Sequence, residues 1–146
     1  MSPRQPSSPG GTDVPPDHGR ILVVDADVDV LQSVSDQLRG LGFDVVTEKT
    51  SAAWFSRKDA EQDPRSISGI LLELQSPILS GLSALLQDIR NRQSNTPIIV
   101  MAEAHNIARL RRAVELGARE YLVKPFDAEL LKRKCLQVFR GVAQGM

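Results

Sequence analysis

The chain has 146 residues, of which 18 are lysine or arginine and 18 are aspartate or glutamate, so its formal net charge at pH 7 is zero. A chain of this length forms one domain and buries roughly two thirds of its unfolded surface. The balanced charge gives no long-range field that would attract nucleic acid or an acidic membrane. No apolar run approaches the ~20 residues that span a bilayer, no signal-peptide pattern is present, and the single cysteine excludes an internal disulfide. We therefore expect a soluble, cytoplasmic protein.

Residues 1–19 differ in composition from the rest of the chain. They contain five prolines, with serine and glycine between them and almost no apolar side chain. Such a segment cannot bury enough surface to offset the entropic cost of ordering it. We predict a disordered tail at residues 1–19, one domain at residues 20–142 and a short C-terminal tail at residues 143–146. Because the chain ends soon after its last predicted helix, we also expect no attached output domain.

From residue 20 onward, apolar runs typical of buried strands alternate with helical patterns. Five strands are predicted, at residues 21–24, 43–47, 70–72, 98–101 and 121–123. Five helices are predicted between and after them, and Asp27 and Asp127 are candidate N-caps of the first and the last. The fourth helix carries an apolar stripe of Ile107, Leu110 and Val114. Each connection is long enough for a right-handed crossover, so the pattern predicts an α/β fold with helices on both faces of a parallel sheet.

Polar residues come directly after three of the predicted strands. Asp25 follows the first strand, Glu73 the third and Lys124 the fifth. The carboxyl ends of parallel strands meet at one edge of the sheet, where open α/β sheets place their binding sites. Two neighbouring carboxylates raise each other's pKa unless a cation lies between them. The sequence therefore predicts an acidic pocket of Asp25 and Glu73, with Lys124 or a divalent metal as the cation.

Three motifs mark the ends of the first, third and fifth predicted strands. They are I-L-V-V-D at residues 21–25, the spacing E-x-x-x-P-x-x-x-G formed by Glu73, Pro77 and Gly81, and Y-L-V-K-P-F at residues 121–126. Together they resemble the receiver domain of bacterial response regulators, and the resemblance covers nearly everything after the tail. It implies a flavodoxin-like, doubly wound, five-stranded parallel sheet, (βα)5, with the strand order 2-1-3-4-5. It also implies a role in two-component phosphorelay, in which an aspartate on the third strand receives a phosphoryl group from a histidine kinase with the help of Mg²⁺.

Three positions depart from the pattern of that family. Glu73 occupies the phosphoacceptor position, Ala26 stands where a second acidic residue is expected, and Ala102 replaces a serine or threonine. Mg²⁺ requires near-octahedral oxygen ligands, and one ligand of the family is here a methyl group. Glu73 extends its carboxylate by one C–C bond, roughly 1.5 Å, and a misplacement of that size can cost on the order of 100-fold in rate. We therefore predict a degenerate receiver in which Glu73 is little phosphorylated.

Asp25, Lys124 and Tyr121 match the family pattern. Ala102 and Tyr121 stand at the two switch positions of the family, of which only Tyr121 has the expected side chain. The bond between Lys124 and Pro125 corresponds to one that the family usually holds in cis. We expect Glu73 to pair directly with Lys124 and so to replace the metal-bridged phosphosite. The alternative is a buried ion cluster without a signalling state, in which removal of one partner would cost about 3–5 kcal/mol.

The leading functional hypothesis is a stand-alone, receiver-like signalling domain that acts as a protein-interaction module and not as an enzyme. The alternatives are a receiver phosphorylated at a non-standard acceptor and a small-ligand-binding domain of the flavodoxin-like fold. No Gly-rich phosphate loop follows the first strand, and no Ser-His-Asp or Cys-His arrangement supports a hydrolase. We expect no cofactor, and Asp25 and Glu73 are the candidate ligands for a weakly bound Mg²⁺ ion.

Charged side chains on the fourth predicted helix, the fifth strand and the last helix form the surface left for partners. They are Arg109, Arg111, Arg112, Glu115, Arg119, Glu120, Glu129, Lys132 and Arg133. In the family this face docks partner proteins or forms symmetric dimers. We expect a sensor kinase, a downstream signalling protein or a second copy of the chain there, and neither nucleic acid nor membrane. The alternative interpretation is an ordinary solvated face.

Overall fold

A five-stranded parallel sheet organises the structure, a computed structural model that describes residues 19–55, 67–74, 86–87, 90–91 and 95–140. Its strands lie in the order β2-β1-β3-β4-β5. Their bounds are β1 Arg20–Val24, β2 Asp44–Glu48, β3 Gly69–Glu73, β4 Ile98–Glu103 and β5 Glu120–Lys124. The α/β class and the strand order that the sequence and its family resemblance implied are therefore confirmed.

Helices follow the strands within the described part of the chain. They are α1 Val28–Gly40, α2 Ser51–Phe55, α3 Ile107–Glu115 and α4 Ala128–Cys135. A 3-10 turn, Ala104–Asn106, leads into α3, and a π-helical turn, Leu136–Arg140, continues α4. Both predicted N-caps are present, because Asp27 accepts a hydrogen bond from the N–H of Asp29 and Asp127 accepts one from the N–H of Leu130.

Successive residues of the central strands point to opposite faces of the sheet, and each face has its own apolar core. One face buries Ile21, Val23 and Leu71 with residues of α1 and α4. The other face buries Leu22, Val24, Ile70 and Leu72 with Trp54 of α2 and Leu110 of α3. Cys135 is fully buried in the first core, where it fills space among apolar side chains, and burial raises the pKa of its thiol to about 12.

The register of the strands determines which residues meet at the carboxyl edge of the sheet. Val24 lies opposite Leu72, so the next residue of each strand, Asp25 and Glu73, reaches the same level. On the far side of β4, Lys124 lies opposite Glu103. Three chain segments that are distant in sequence therefore end together at one corner.

Two side chains of α3 are placed differently from the prediction. Arg109, predicted on the charged surface, is 7% exposed, whereas Val114, predicted on the apolar stripe, is 37% exposed. The reason is the rotation of the helix, whose inner face runs through Arg109, Leu110 and Ala113. Val114 lies one residue beyond that face. In addition, β4 continues beyond its predicted end, so Ala102 lies within the strand.

Some predictions fall on residues that the structure does not describe. The N-terminal tail up to residue 18, the C-terminal residues 141–146, Pro77, Gly81 and most of the third predicted helix lie outside the described residues. Residues 86–87 and 90–91, in the region of that helix, are helical. Among the helices that are described, none is long and apolar enough to cross a bilayer.

Candidate functional site

The charged corner consists of Asp25, Glu73 and Lys124, at the carboxyl ends of β1, β3 and β5. The ammonium Nζ of Lys124 lies 2.6 Å from Oδ2 of Asp25 and 2.8 Å from Oε2 of Glu73. Both distances are typical of charge-assisted hydrogen bonds. The structure therefore brings together the three residues that the sequence singled out, with the lysine bonded to both carboxylates.

Backbone N–H groups donate hydrogen bonds to the other two carboxylate oxygens of the corner. Oδ1 of Asp25 accepts a hydrogen bond from the N–H of Asp27 at 2.9 Å. Oε1 of Glu73 accepts one from the N–H of Ala26 at 3.1 Å. These donors belong to the turn between β1 and α1, so the same segment that lacks a second acidic side chain at Ala26 supplies its backbone to Glu73. All four carboxylate oxygens of the corner are hydrogen-bonded.

Burial makes the charges of the corner interact strongly. The side chain of Asp25 is 0% exposed, that of Lys124 9% and that of Glu73 16%. Burial raises the pKa of Asp25 above its ordinary value, and the charge of Glu73 adds to the effect, despite opposing hydrogen bonds from Lys124 and Asp27. Burial alone would lower the pKa of Lys124, but the two carboxylates outweigh it and raise that pKa. The raised pKa of Asp25 and the raised pKa of Lys124 are both expected of a buried cluster with two negative charges and one positive charge.

The donor set of the corner does not fit a Mg²⁺ ion. The ion requires near-octahedral oxygen ligands at about 2.0–2.1 Å, whereas the carboxylate oxygens here are bonded to the lysine and to backbone N–H groups. Ala26 contributes no oxygen from its side chain. Within the described ranges, no group of three or more histidine, cysteine, aspartate or glutamate residues could hold a metal ion.

Ala102 lies on β4 and Tyr121 on β5, and Pro125 directly follows the lysine of the corner. Ala102 is 1% exposed and lies opposite Val123, and its methyl group offers no hydroxyl to a ligand at the corner. Tyr121 lies three residues before Lys124 on β5 and is half-buried. The peptide bond between Lys124 and Pro125 is cis.

Lys134 on α4 is a contact residue of Tyr121 that the sequence analysis missed. Its ammonium lies 4.9 Å from the centroid of the Tyr121 ring and 2.9 Å from Oε1 of Glu120. A signal for it exists in the sequence. Lys134 lies three residues after Leu131 and immediately before Cys135, two buried residues of α4, so its aliphatic stem borders the core and can reach the neighbouring strand.

A cleft of about 330 Å³ lies beside the corner, between α1 and the segment that joins β5 to α4. Apolar walls are formed by Val30, Val34 and Phe126, and Asp29 and Glu103 contribute carboxylates. The lysine of the charged corner also lines this cleft. Its volume is at the low end of the range of small-ligand pockets.

Curated relatives are similar in sequence to most of this chain. The chain is 37% identical over 124 residues to the transcriptional regulatory protein PrrA of Mycobacterium tuberculosis, a match that covers 84% of this chain and 51% of PrrA. The chain therefore spans about half the length of this relative.

Solved structures of response regulators have the same fold. Full-length FixJ from B. japonicum superposes with a TM-score of 0.70 at 25% identity, over 85% of this chain and 59% of FixJ. The receiver domain of NtrX from Brucella abortus superposes with a TM-score of 0.67 at 28% identity, over 80% of this chain and 95% of that domain. The family model described as the response regulator receiver domain matches residues 21–135. Because that match spans most of the chain and agrees with the observed sheet, this protein belongs to the response regulator receiver domain family.

Proposed function

We propose that the chain is a receiver-type module of two-component signalling that acts through protein contacts and takes up little or no phosphoryl group at Glu73. The observation that carries this proposal is the position of Lys124, whose ammonium is bonded to both carboxylates of the corner. An internal cation is thus bonded to both acidic side chains of the corner. The ammonium offsets one of the two carboxylate charges, so the corner keeps one negative charge in excess.

The side chains around the lysine support the proposal. Both oxygens of Glu73 accept a hydrogen bond, one from Lys124 and one from the N–H of Ala26, and these donors lower the nucleophilicity of the carboxylate. An incoming phosphoryl group also needs donors and a cation to balance its charge. Ala26 and Ala102 provide neither a carboxylate for a metal nor a hydroxyl for a phosphoryl oxygen.

The test is a phosphorylation assay on the full chain with a matched gain-of-function variant. The wild type and the triple variant A26D/E73D/A102T are incubated with acetyl phosphate and Mg²⁺ and analysed by intact-mass spectrometry. We expect the wild type to keep its mass and the triple variant to gain one phosphoryl group, since that variant restores the side chains that the family pattern requires.

Two results would contradict the proposal. A stoichiometric phosphoryl gain on the wild type would show that Glu73 or another residue is an effective acceptor. A triple variant that is folded by circular dichroism and still takes up no phosphoryl group would show that these three positions are not what prevents the reaction.

We further propose that partners dock on the face formed by α3, β5 and α4, where a sensor kinase, a downstream signalling protein or a second copy of the chain would bind. Val114 on α3 is an exposed apolar residue within a charged surface, and Arg112 is neutralised there by Glu115 at 2.9 Å. Light scattering of the wild type and V114D at several concentrations tests the homodimer. We expect V114D to weaken any self-association, and equal masses for both proteins in a dimeric sample would exclude this face as the dimer interface.

A further inference from the structure

Lys134 holds Tyr121 through both its backbone and its ring. The ammonium Nζ of Lys134 lies 2.5 Å from the carbonyl oxygen of Tyr121 and 4.9 Å from the centroid of its ring. It also lies 2.9 Å from Oε1 of Glu120, and this same oxygen accepts the backbone N–H of Tyr121 at 2.9 Å. The ion pair of Lys134 and Glu120 therefore contacts the N–H, the carbonyl and the ring of Tyr121.

The anchoring of the ammonium determines what it does to the ring. A cation is attracted to the face of an aromatic ring, but a freely moving lysine would follow the ring through any rotation. Here Nζ is fixed by Glu120 and by the carbonyl oxygen, so a change in the χ1 angle of Tyr121 would separate the ring from the cation. The side chain of Lys134 is 19% exposed and that of Glu120 33%, so solvent and salt screen this ion pair less than an open surface pair.

One alternative hydrogen-bond partner for the Tyr121 side chain is absent. Ala102, on the neighbouring strand, is buried and has no hydroxyl that could bond to the tyrosine. The ring packs against the core cluster that contains Leu110 of α3 and meets Lys134 of α4. It therefore lies at the edge strand β5, between the two helices of the proposed docking face.

We propose that Lys134 is a positioning residue that holds the Tyr121 ring in a single rotamer, so that the surface around β5 is presented in one fixed conformation. Glu120 contributes by anchoring the ammonium. The proposal concerns only these three side chains and does not depend on whether Glu73 accepts a phosphoryl group.

The experiment uses the fact that the chain contains one tyrosine, so its ring signals are unambiguous. Three-bond N–Cγ and C′–Cγ couplings of Tyr121 are measured by NMR in the wild type, K134M, K134R and K132M. We expect limiting single-rotamer couplings in the wild type and K132M, averaged couplings with a displaced ring signal in K134M, and values close to the wild type in K134R. Lys132 is an exposed lysine of the same helix and controls for loss of charge alone.

Rotamer couplings separate positioning from a general structural role, because a merely less stable protein keeps the couplings of its folded state. Single-rotamer couplings in K134M, or averaged couplings in the wild type, would overturn the proposal. If K134M does not fold, E120A takes its place, since it removes the acceptor oxygen that anchors the ammonium and leaves Lys134 intact. Averaging in E120A supports the proposal, and couplings equal to those of the wild type contradict it.

Discussion

Lys124 Nζ and Asp25 Oδ2 are 2.6 Å apart although 99 positions separate the two residues in the sequence. In the sheet, β3 and β4 lie between the strands that carry them. The bond therefore connects the ends of β1 and β5 across the carboxyl edge, and the acceptor supplied by Glu73 lies between them. The lysine is thus the one cation of the charged corner, and the stability of the corner depends on it.

We predict that K124M lowers the free energy of unfolding by about 3–5 kcal/mol at neutral pH, because it leaves two buried carboxylates without their cation. The loss should shrink as the pH falls. Burial already raises the pKa of Asp25, and without the lysine this pKa rises further, so protonation relieves the uncompensated charge at a higher pH. Urea denaturation of both proteins from neutral to acidic pH measures the difference.

K132M is the control for this measurement, since it removes an exposed lysine and should change the free energy of unfolding by less than about 0.5 kcal/mol. In the same samples, the carboxyl ¹³C signal of Glu73 should shift in K124M and titrate differently. An unchanged Glu73 signal, or a K124M protein as stable as the wild type at neutral pH, would contradict the pairing. The stabilisation by Lys124 is complete at pH values below the ordinary lysine pKa. It is lost as the pH rises through the raised pKa of Lys124.

E73Q should be far less harmful than K124M. The corner carries one negative charge in excess, and the substitution removes it while Asp25 and Lys124 remain paired. We expect a change in the free energy of unfolding of about 1 kcal/mol or less. We also expect a lower pKa of Asp25, since burial and the charge of Glu73 together raise it. A ¹³C carboxyl titration of Asp25 tests this, and an unchanged pKa would show that Glu73 carries no charge that acts on Asp25.

The charged corner could be predicted from the sequence because its geometry follows from the sheet alone. In a parallel sheet with matched register, the residues after the strands meet at one edge, whatever the loops do. Asp25, Glu73 and Lys124 are each adjacent to or at the end of an apolar run, so their convergence needed only the correct strand assignment. The hydrogen bond from the N–H of Ala26 to Glu73 was not predictable, because it depends on the path of a loop.

The burial of side chains on α3 and the contact between Lys134 and Tyr121 could not be predicted from the sequence, because they depend on the rotation and packing of helices. Leu110 has apolar neighbours at both i+3 and i+4, Ala113 and Val114, so the spacing alone does not decide which of them faces the core. The buried side chain of Arg109 follows from the same rotation. The contact of Lys134 with the Tyr121 ring requires the position of α4 relative to β5, which is a tertiary property.

Glu120 should contribute to stability with a definite pH dependence. Burial acts to raise the pKa of its carboxyl, but the hydrogen bonds from Lys134 and the N–H of Tyr121 outweigh burial and lower the pKa. Its contribution is therefore complete above the ordinary glutamate pKa and is lost as the pH falls through the lowered pKa. We expect E120Q to lose up to about 1 kcal/mol in the free energy of unfolding at neutral pH. The loss should disappear in acid.

Urea denaturation of the wild type, E120Q and E115Q over the acidic range tests this dependence. Glu115 pairs with Arg112 at a similar distance, but both side chains are mostly exposed, so E115Q should change the free energy of unfolding less. An E120Q difference that persists unchanged in acid would mean that ionisation of Glu120 is not its source.

Gly69 at the start of β3 should tolerate no larger side chain. A Cβ atom at this position would overlap the ring of Phe139 and approach Ile21 at 3.1 Å. Both neighbours are fully buried, so the core must shift, and we expect G69A to lower the free energy of unfolding by about 1–3 kcal/mol. G40A is the matched control, because a Cβ at Gly40 meets nothing within 4 Å and alanine favours the helix, here by less than about 0.5–1 kcal/mol because Gly40 is the last residue of α1. Urea denaturation of the two variants should thus give changes of opposite sign, and a G69A protein as stable as the wild type would contradict the tight packing of Phe139 against β3.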